Sequence, residues 1–243
     1  MLKIEKTVLP SPEQWEIIIE GMRNPMNSWD KMDSTICQGA DGFEDCTISI
    51  TGECPRHDDF HHDVFCVGDN DHNLMTRLAK GGPVHGKFRR MIPVFVTINA
   101  PLYWWKEFDT YKVGTVCNSC STMHKIHSKE FTLNDFSCEK LYPWNENALQ
   151  HTIDILNHER NIFVNGFVGV PGDGVRIEPG DKRAWEQMIQ LLPTSYNQKR
   201  TIMLNYEVLV GIYEYRRNHK LDEWHTFCDW IKTLPYSELI TGE

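Results

Sequence analysis

The sequence predicts an α/β or α+β fold in which a mixed sheet is packed by several helices. The apolar, β-branched run Ile92–Ile98 has the length and composition of a buried strand. Other segments repeat their apolar residues at helical spacing, as Leu149, Ile153 and Leu156 do. With 243 residues the chain can bury a sizeable core. We expect a single domain over residues 1–243.

Composition and charge exclude several classes of function. The net charge of -9 argues against broad binding to nucleic acid or to a membrane surface, so we expect neither partner. No run approaches the roughly 18 apolar residues that span a bilayer, and the first residues lack the apolar core of a signal peptide. We therefore expect a cytoplasmic protein whose eight cysteines are reduced thiols.

The first quarter of the chain begins with regular elements and then turns polar. Residues 1–9 have the pattern of a strand, and Ser11 followed by Pro12 marks the start of a helix. Residues 24–73 form a polar segment rich in cysteine and histidine, in which Cys46–Thr51 alternates like a half-buried strand.

The segment His57–Cys66 allows two interpretations. Its imidazoles, thiol and carboxylates are all zinc-ligand types. However, the spacing matches no zinc finger, and the adjacent His61 and His62 would point in opposite directions on a strand. We favour a polar loop or strand edge and predict no metal.

The remaining elements follow from helical spacing, caps and breakers. The aromatic helix after the Ala100-Pro101 turn leads into a polar loop over residues 115–122, and residues 164–182 form a Gly/Pro-rich hairpin or flexible loop. The predicted helices are Asp71–Lys80, the segment from Pro101 to Lys112, Asn134–Leu141, Asn147–Ile162, Asp181–Leu192, Asn197–Asn218 and Leu221–Leu234.

The stretch from His85 to Ile126 resembles the flavin-dependent thymidylate synthases. That family has a His-containing turn, a strand ending near Ala-Pro and a helix carrying Arg-Gln, followed by Arg-His-Arg-x-x-Ser-x-Asn-Glu-x-Ser. The strand, the turn and the helix match without gaps, but the signature residues differ. The matching positions are Lys106-Glu107 for Arg-Gln, Thr110-Tyr111-Lys112 for Arg-His-Arg, Thr115 for the first serine, Cys117-Asn118 for Asn-Glu and Cys120 for the second serine. A shift of one residue instead matches the family Asn to Asn118 and the second serine to Ser121.

A second resemblance lies towards the C-terminus. The family places Leu-Pro before a long helix that carries an Asn to the flavin, and then an Arg that binds the substrate phosphate. Leu192-Pro193 is followed at matching distance by Asn205 and Arg216. The family Arg before Leu-Pro falls on Ile189, so that contact is absent.

The resemblance implies an enzyme that methylates or otherwise modifies C5 of dUMP or a related pyrimidine nucleotide. It implies FAD as cofactor, NADPH and methylenetetrahydrofolate as co-substrates, and a homotetramer whose active sites are shared between subunits. The implied residues are Lys106, Glu107 and Arg216 for substrate, Thr110, Tyr111, Lys112, Asn118 and Asn205 for flavin, and Cys120 and Ser121 for catalysis. The cationic candidates for a phosphate are Arg216, Arg217, Lys112, Lys106, Lys199 and Arg200.

Two alternatives stay open. The altered Arg-His-Arg favours a family member that has lost the flavin chemistry and serves as a nucleotide-binding or structural protein. Alternatively, Cys117-x-x-Cys120 is a redox pair, an activated thiolate, or half of a metal site with His124 and His127. A thiolate at Cys120 is able to add to C6 of a pyrimidine. The default for both cysteines is a thiol pair without such a role.

Overall fold

A computed structural model describes residues 1–37, 64–170 and 174–243. The predicted strand Cys46–Thr51 lies outside these residues, and so do the three histidines of the metal hypothesis.

The described elements are strands and helices interspersed along the chain, with three consecutive helices after the last strand. The strands are β1 (Lys3–Val8), β2 (Thr35–Cys37), β3 (Val64–Cys66), β4 (Pro93–Pro101), β5 (Val116–Ser119), β6 (Phe167–Val168), β7 (Arg176–Ile177) and β8 (Asn197–Asn205). The α-helices are α1 (Pro12–Arg23), α2 (Asp69–Lys80), α3 (Leu102–Phe108), α4 (Pro143–Asn165), α5 (Lys182–Leu191), α6 (Tyr206–Arg216), α7 (Asp222–Lys232) and α8 (Glu238–Thr241). Short 3-10 helices span Asn24–Met26, Trp29–Lys31, Gly86–Met91 and Leu133–Asp135.

The main sheet has four strands in the order β1-β4-β8-β5. The central pair runs in full register from Pro93 opposite Asn205 to Pro101 opposite Asn197. This architecture confirms the α+β class with several packed helices. The pairings within the described sheet are all antiparallel, whereas we had predicted a mixed sheet. Neighbouring strands enter this sheet from opposite ends, so no parallel pair forms.

The two faces of the sheet differ in burial because successive side chains of a strand point to opposite faces. Val94, Val96 and Ile98 of β4 are buried on the inner face with Ile202 and Leu204 of β8. The inner face packs against an aromatic core supplied by the helices. Its largest fully buried members are Trp104, Trp105, Trp224, Tyr206, Phe108 and Phe227. The adjacent Trp104 and Trp105 are thus both core residues.

The outer face of the sheet carries an apolar row that crosses all four strands. Val8 pairs with Phe95, Phe95 with Met203, and Met203 with Val116. Phe95 is 46% exposed and Val116 is 60% exposed. Among the described residues, no helix covers this row.

A second, smaller core forms between α4 and α5. Leu149, Ile153 and Leu156 of α4 are buried there against Met188 of α5, as their helical spacing predicts. The hairpin of β6 and β7 lies between these two helices in sequence, which confirms a hairpin in the Gly/Pro-rich segment.

A buried ion pair joins α1 to α2. Arg23 and Asp71 have side chains that are 3% and 0% exposed, and Arg23 Nε donates to Asp71 Oδ1 at 2.5 Å. The other carboxylate oxygen accepts from the Ser34 hydroxyl at 2.6 Å and from the backbone amides of Asp33 and Ser34. Burial works against ionisation, but these hydrogen bonds outweigh it and hold the pKa of Asp71 below its ordinary value.

Three predicted elements are wrong. The long helix Asn197–Asn218 is instead strand β8 followed directly by α6. Gln198, Ile202 and Leu204 are buried at even spacing in β8, and pairing with β4 on one side and β5 on the other overrides the helical pattern. The polar loop over residues 115–122 contains the edge strand β5.

The third wrong element is the helix Asn134–Leu141. Only the single turn Leu133–Asp135 forms, with Thr132 rather than Asn134 as its cap. The Asp135 carboxylate accepts from the Thr132 backbone amide at 2.9 Å, so the turn closes on itself and the chain then extends. Within the described ranges, no helix is long and apolar enough to cross a bilayer.

Candidate functional site

Two strand-to-helix junctions without loops position the candidate site. Pro101 ends β4 and is also the N-cap of α3, while Asn205 ends β8 and caps α6. Because β4 and β8 are paired antiparallel, the two helices start at opposite ends of the strand pair. The ends of α3 and α6 then meet at one point, where Glu107 contacts Arg216.

Around Arg216 the chain forms a compact group, which we call the Arg216 cluster: Glu107, Tyr111, Arg216, His219 and Trp224. Arg216 Nη1 donates to Glu107 Oε2 at 2.7 Å, and Arg216 Nε donates to the Tyr111 hydroxyl at 2.9 Å. The guanidinium carbon lies 4.6 Å from the centre of the Trp224 ring. Stacking and ion pairing together fix the direction in which Arg216 points.

The carboxylate of Glu107 is the centre of this cluster. Its Oε2 also accepts from Trp224 Nε1 at 3.0 Å and lies 3.4 Å from His219 Nε2. The Glu107 side chain is 34% exposed and that of Arg216 is 17% exposed. Hydrogen bonds and ring contacts within the chain therefore fix the Glu107 and Arg216 side chains, while part of each side chain remains accessible to solvent.

A second basic group, the Arg200 cluster, lies on the other side of the α3 C-terminus: Trp105, Asp109, Cys117, Gln198 and Arg200. Arg200 Nη1 donates to Asp109 Oδ1 at 2.7 Å, and its guanidinium carbon lies 4.4 Å over the Trp105 ring. Arg200 Nε donates to Gln198 Oε1 at 2.8 Å, and Arg200 Nη1 is 3.9 Å from Cys117 Sγ. Like Arg216, Arg200 is stacked on a tryptophan and neutralised by a carboxylate.

The two cysteines of Cys117-x-x-Cys120 lie on an extended strand. β5 covers Val116–Ser119, and the amide of Cys120 continues the ladder by donating to Lys199 O at 2.9 Å. Three residues of extended chain separate two α carbons by about 10 Å, beyond the roughly 7 Å that a disulfide tolerates. Cys117 and Cys120 therefore cannot close on each other without a backbone movement.

The metal alternative at these cysteines has little support in the geometry. The His127 ring centre lies 4.7 Å from that of Phe163. Among the described residues, no group of three or more His, Cys, Asp and Glu side chains is arranged to hold a metal ion.

Another cysteine, Cys228, is buried in α7. Burial raises the pKa of the Cys228 thiol to about 11, with the nearby Asp229 adding to the effect, so this thiol is protonated at neutral pH.

The predicted catalytic residues lie at the sheet edge. Cys120 is exposed, and its carbonyl accepts from Gln198 Nε2 at 3.0 Å. The Ser121 hydroxyl accepts from the His124 backbone amide at 2.8 Å, which closes a small turn. No contact joins Cys120 or Ser121 to the Arg216 cluster in the described part of the chain.

The residues expected to bind flavin are spread over several surfaces. Tyr111 belongs to the Arg216 cluster, whereas Thr110 and Lys112 are exposed just beside it. Asn118 pairs with Thr201 on the outer face of the sheet. Asn205 Oδ1 accepts from Val208 N at 3.1 Å, so this oxygen is used in capping α6. One chain does not bring these five residues together.

Several residues of the site were not identified from the sequence. His219 and Trp224 follow α6 in a stretch that matches no motif, although Trp224 belongs to a segment that we predicted as helical. Gly114 also matters, because its φ of +75° and its approach to Asn205 and Val208 require a residue without a side chain. The Gly114 turn directs the chain from α3 back into β5.

Comparison with known proteins identifies the fold. No family model matches the sequence, and no curated protein matches it. The structure is similar to thymidylate synthase X (ThyX) from Helicobacter pylori, crystallised with FAD and dUMP, with a TM-score of 0.57 and 12% identity over 100% of this chain and 96% of that chain. A second ThyX structure from the same organism, also with FAD and dUMP, gives a TM-score of 0.57 and 13% identity over 100% and 97% of the two chains.

A third similar structure is the UMP/dUMP methylase PolB from Streptomyces cacaoi, bound with 5-Br dUMP. Its TM-score is 0.53 at 12% identity, over 100% of this chain and 94% of that chain. At such low identity the likeness concerns the path of the chain and not the chemistry. The protein therefore has the fold of the flavin-dependent thymidylate synthases.

Proposed function

We propose that the protein is a divergent enzyme that modifies C5 of dUMP or a related pyrimidine nucleotide, with a reduced flavin and a folate one-carbon donor. The proposal rests on one observation, which is that Arg216 contacts both Glu107 and Tyr111. These residues fall on three separate positions of the family pattern, of which Arg216 keeps the family residue, and contacts of 2.7 and 2.9 Å bring them together. The similar structures contain dUMP or its bromo analogue, and two of them contain FAD.

In this proposal the Arg216 cluster binds the nucleotide. Arg216 and Glu107 orient it through hydrogen bonds. Lys106 and Lys112 are exposed cations close in sequence to Glu107 and Tyr111 of the cluster, and neither forms an ion pair within the described ranges. They are available to a phosphate, to which a lysine contributes as a point charge.

A flavin, when bound, supplies reducing equivalents for the one-carbon transfer. The described residues of one chain do not fit it by themselves, because Asn118 is on the outer face and the Asn205 oxygen caps α6. We derive no step of the reaction through it. We propose that the protein is a homotetramer in which a second copy of the chain completes the flavin site.

The apolar row on the outer sheet face supports the proposed oligomer. An aromatic and three aliphatic side chains in register form a band that a second copy is able to cover. Analytical ultracentrifugation of a Phe95→Glu variant tests this, with Val84→Glu as control, since Val84 is 77% exposed and lies outside the sheet. We expect dissociation only for Phe95→Glu. A monomeric native protein contradicts the proposal.

An absorbance spectrum of the purified protein, with and without added FAD and followed by titration with dUMP, tests the function. A flavin spectrum that changes on addition of dUMP is the expected result. Absence of flavin binding at high FAD concentration excludes the flavin-dependent reaction.

The second candidate function is nucleotide binding without flavin chemistry. It is favoured by the replacement of the family Arg-His-Arg by Thr110-Tyr111-Lys112, which leaves one cation where the family has two arginines. The Thr110 hydroxyl is also used within the chain, because it donates to the Glu107 carbonyl at 2.7 Å. Binding of dUMP by a protein that does not bind FAD supports this candidate.

A further inference from the structure

The two edges of the main sheet differ in how they are protected against pairing with another chain. The order β1-β4-β8-β5 leaves β1 and β5 as the outermost strands of the described sheet. β1 carries Lys3, Glu5 and Lys6, and its register with β4 shifts between Ile4 and Lys6. Charges and irregular pairing on an edge strand prevent another strand from adding to it. The β1 edge is therefore protected.

The β5 edge has neither of these features. The run from Val113 to Met123 contains no Asp, Glu, Lys or Arg and no proline. All four residues of β5 are exposed, and Val116 at its start is 60% exposed. Its register with β8 is regular throughout. An uncharged and regular edge strand without proline favours pairing with a further strand.

The hydrogen bonds to β8 show which backbone groups of β5 face outwards. The amide of Cys120 donates at 2.9 Å to the carbonyl of Lys199, which the register places directly opposite it. Bonded pairs alternate along an antiparallel ladder, so Asn118 also bonds to β8. By the same alternation, Cys117 and Ser119 direct their N–H and C=O groups away from the sheet. These two residues offer donors and acceptors along an edge that no strand of the described sheet occupies.

Symmetry limits how a second copy is able to pair with this edge. A two-fold axis normal to the sheet keeps each side chain on its own face, so the axis passes through a residue and not between two residues. Turns bound the strand on both sides: Gly114 has a φ of +75°, and the Ser121 hydroxyl accepts from the His124 amide at 2.8 Å. The midpoint of residues 115–121 is Asn118. An axis at Asn118 therefore uses the whole run between the turns.

We propose that the β5 edge pairs with the β5 edge of a second copy of this chain, antiparallel and with the two-fold axis at Asn118. The outward backbone groups of Cys117 then bond to those of Ser119 in the second copy. The two Asn118 side chains lie opposite each other on the outer face, where their amides hydrogen-bond to one another. Because β5 has no charged residue, no like charges meet across the axis. The sheets of the two chains become one continuous sheet.

The apolar row on the outer face supports a second copy as the partner. The row ends on β5 at Val116, and in this register Cys120 of the second copy lies opposite Val116 on the same face. Cysteine packs as a small apolar residue, so the row continues into the second chain. This edge contact differs from the face contact that Phe95→Glu tests. A closed tetramer with two-fold symmetry needs two different contacts, but the edge contact does not rest on the proposed function.

Disulfide formation across the axis tests the proposed register. Asn118→Cys is made in a chain in which Cys117→Ser and Cys120→Ser remove the neighbouring exposed thiols. Two residues that face each other as a non-hydrogen-bonded pair have α carbons about 4.5 Å apart, within the range of a disulfide. After mild oxidation, we expect most of the chain to run as a covalent dimer on a denaturing gel and as a monomer after reduction. The absence of this dimer overturns the proposal.

Ser119→Cys in the same background is the matched control. In the proposed register, the two copies of residue 119 lie about 8 Å apart, beyond the roughly 7 Å that a disulfide tolerates. We therefore expect little or no covalent dimer from Ser119→Cys. A dimer as complete as that of Asn118→Cys overturns the proposal.

A proline at residue 119 tests the contact without a new thiol. Ser119→Pro removes an outward amide, while the hydrogen bonds of Asn118 and Cys120 to β8 are kept. In analytical ultracentrifugation, we expect the dissociation constant of the assembly to rise about 10-fold or more, with an unchanged circular dichroism spectrum. An unchanged assembly overturns the proposal, and if Ser119→Pro does not fold, the cross-link decides. The cross-link should also form when Phe95→Glu is added, so failure of the face contact leaves the edge contact testable.

Discussion

The molecule contains two arginine–carboxylate pairs that have similar bonds and different surroundings. The Arg23–Asp71 pair is 3% and 0% exposed, and both oxygens of its carboxylate are occupied by hydrogen bonds from the chain. The Arg216–Glu107 pair is 17% and 34% exposed, and one oxygen of its carboxylate has no partner among the described residues. The first pair serves the fold alone, whereas the second has polar atoms left for a ligand.

The difference shows how a salt bridge can be assigned to structure or to function. Removing one partner of a buried pair leaves a charge without water or counter-ion, which costs much more than the pair contributes. Removing one partner of a partly exposed pair costs little stability, because water solvates the remaining group. The size of the stability loss therefore separates the two roles.

The largest expected effect is that of Asp71→Ala. The change leaves the Arg23 guanidinium buried without a counter-ion, and the free energy of unfolding should fall by about 3–5 kcal/mol. For a chain of this size this corresponds to roughly 10 °C in Tm. Asp69→Ala, an exposed position in the first turn of the same helix, is the control and should shift Tm by no more than a few degrees. Equal losses for the two variants would show that the buried pair has no special role.

The second largest effect is expected from acid, which should reduce the contribution of the buried Arg23–Asp71 pair to stability. The pKa of Asp71 in the folded protein lies below its ordinary value of 3.8, so its stabilisation is complete above that value and disappears as pH falls through the folded pKa. We expect the difference in urea midpoint between the native chain and Asp71→Asn to be constant near neutral pH and to shrink below about pH 4. A difference that grows on acidification would mean that folding raises the pKa of this carboxyl instead of lowering it.

Glu107→Gln should cost far less stability than Asp71→Ala. Solvent screens the pair and Arg216 retains its stacking on Trp224, so the loss in unfolding free energy should be about 1 kcal/mol or less. Chemical denaturation of both variants in one buffer measures the contrast. A loss as large as that of Asp71→Ala would make Glu107 a structural residue rather than a ligand-binding residue.

The smallest effect is expected for Tyr111→Phe. This change removes the acceptor of Arg216 Nε and keeps the ring, so we expect a loss of about 0.5 kcal/mol in stability. Ligand binding should be affected more than stability, because the guanidinium loses one of its positioning contacts. Calorimetric titration with dUMP, compared with the melting curve, shows which effect is larger.

The sequence predicted those parts of the fold in which local and tertiary preferences agree. The helix start at Ser11-Pro12, the core stripe of Leu149, Ile153 and Leu156, and strand β4 all follow from short-range rules. Residues 197–218 show the limit of such rules. Leu204, Leu209 and Ile212 fit a helical stripe, but the first lies in β8 and only the partner strands decide its conformation.

The candidate site was predictable only where a family position could be matched. Glu107, Tyr111 and Arg216 were named in this way, and the structure joins them. His219 and Trp224 belong to the same cluster, yet no local signal marks them, because their role arises from the turn after α6. Nor does a motif reveal that the Asn205 oxygen is used as a helix cap.

The direct passage from β8 into α6 makes this part of the chain intolerant of changes in length. Asn205 is both the last residue of the strand and the cap of the helix, so no loop exists to absorb an insertion. One extra residue within α6 would turn Arg216 by about 100° around the helix axis and move it by about 1.5 Å. The pairing with Glu107 would then be lost while the sheet stayed intact. Homologues that keep this site should therefore keep the number of residues from Asn197 to Arg216 constant, even where their sequences differ.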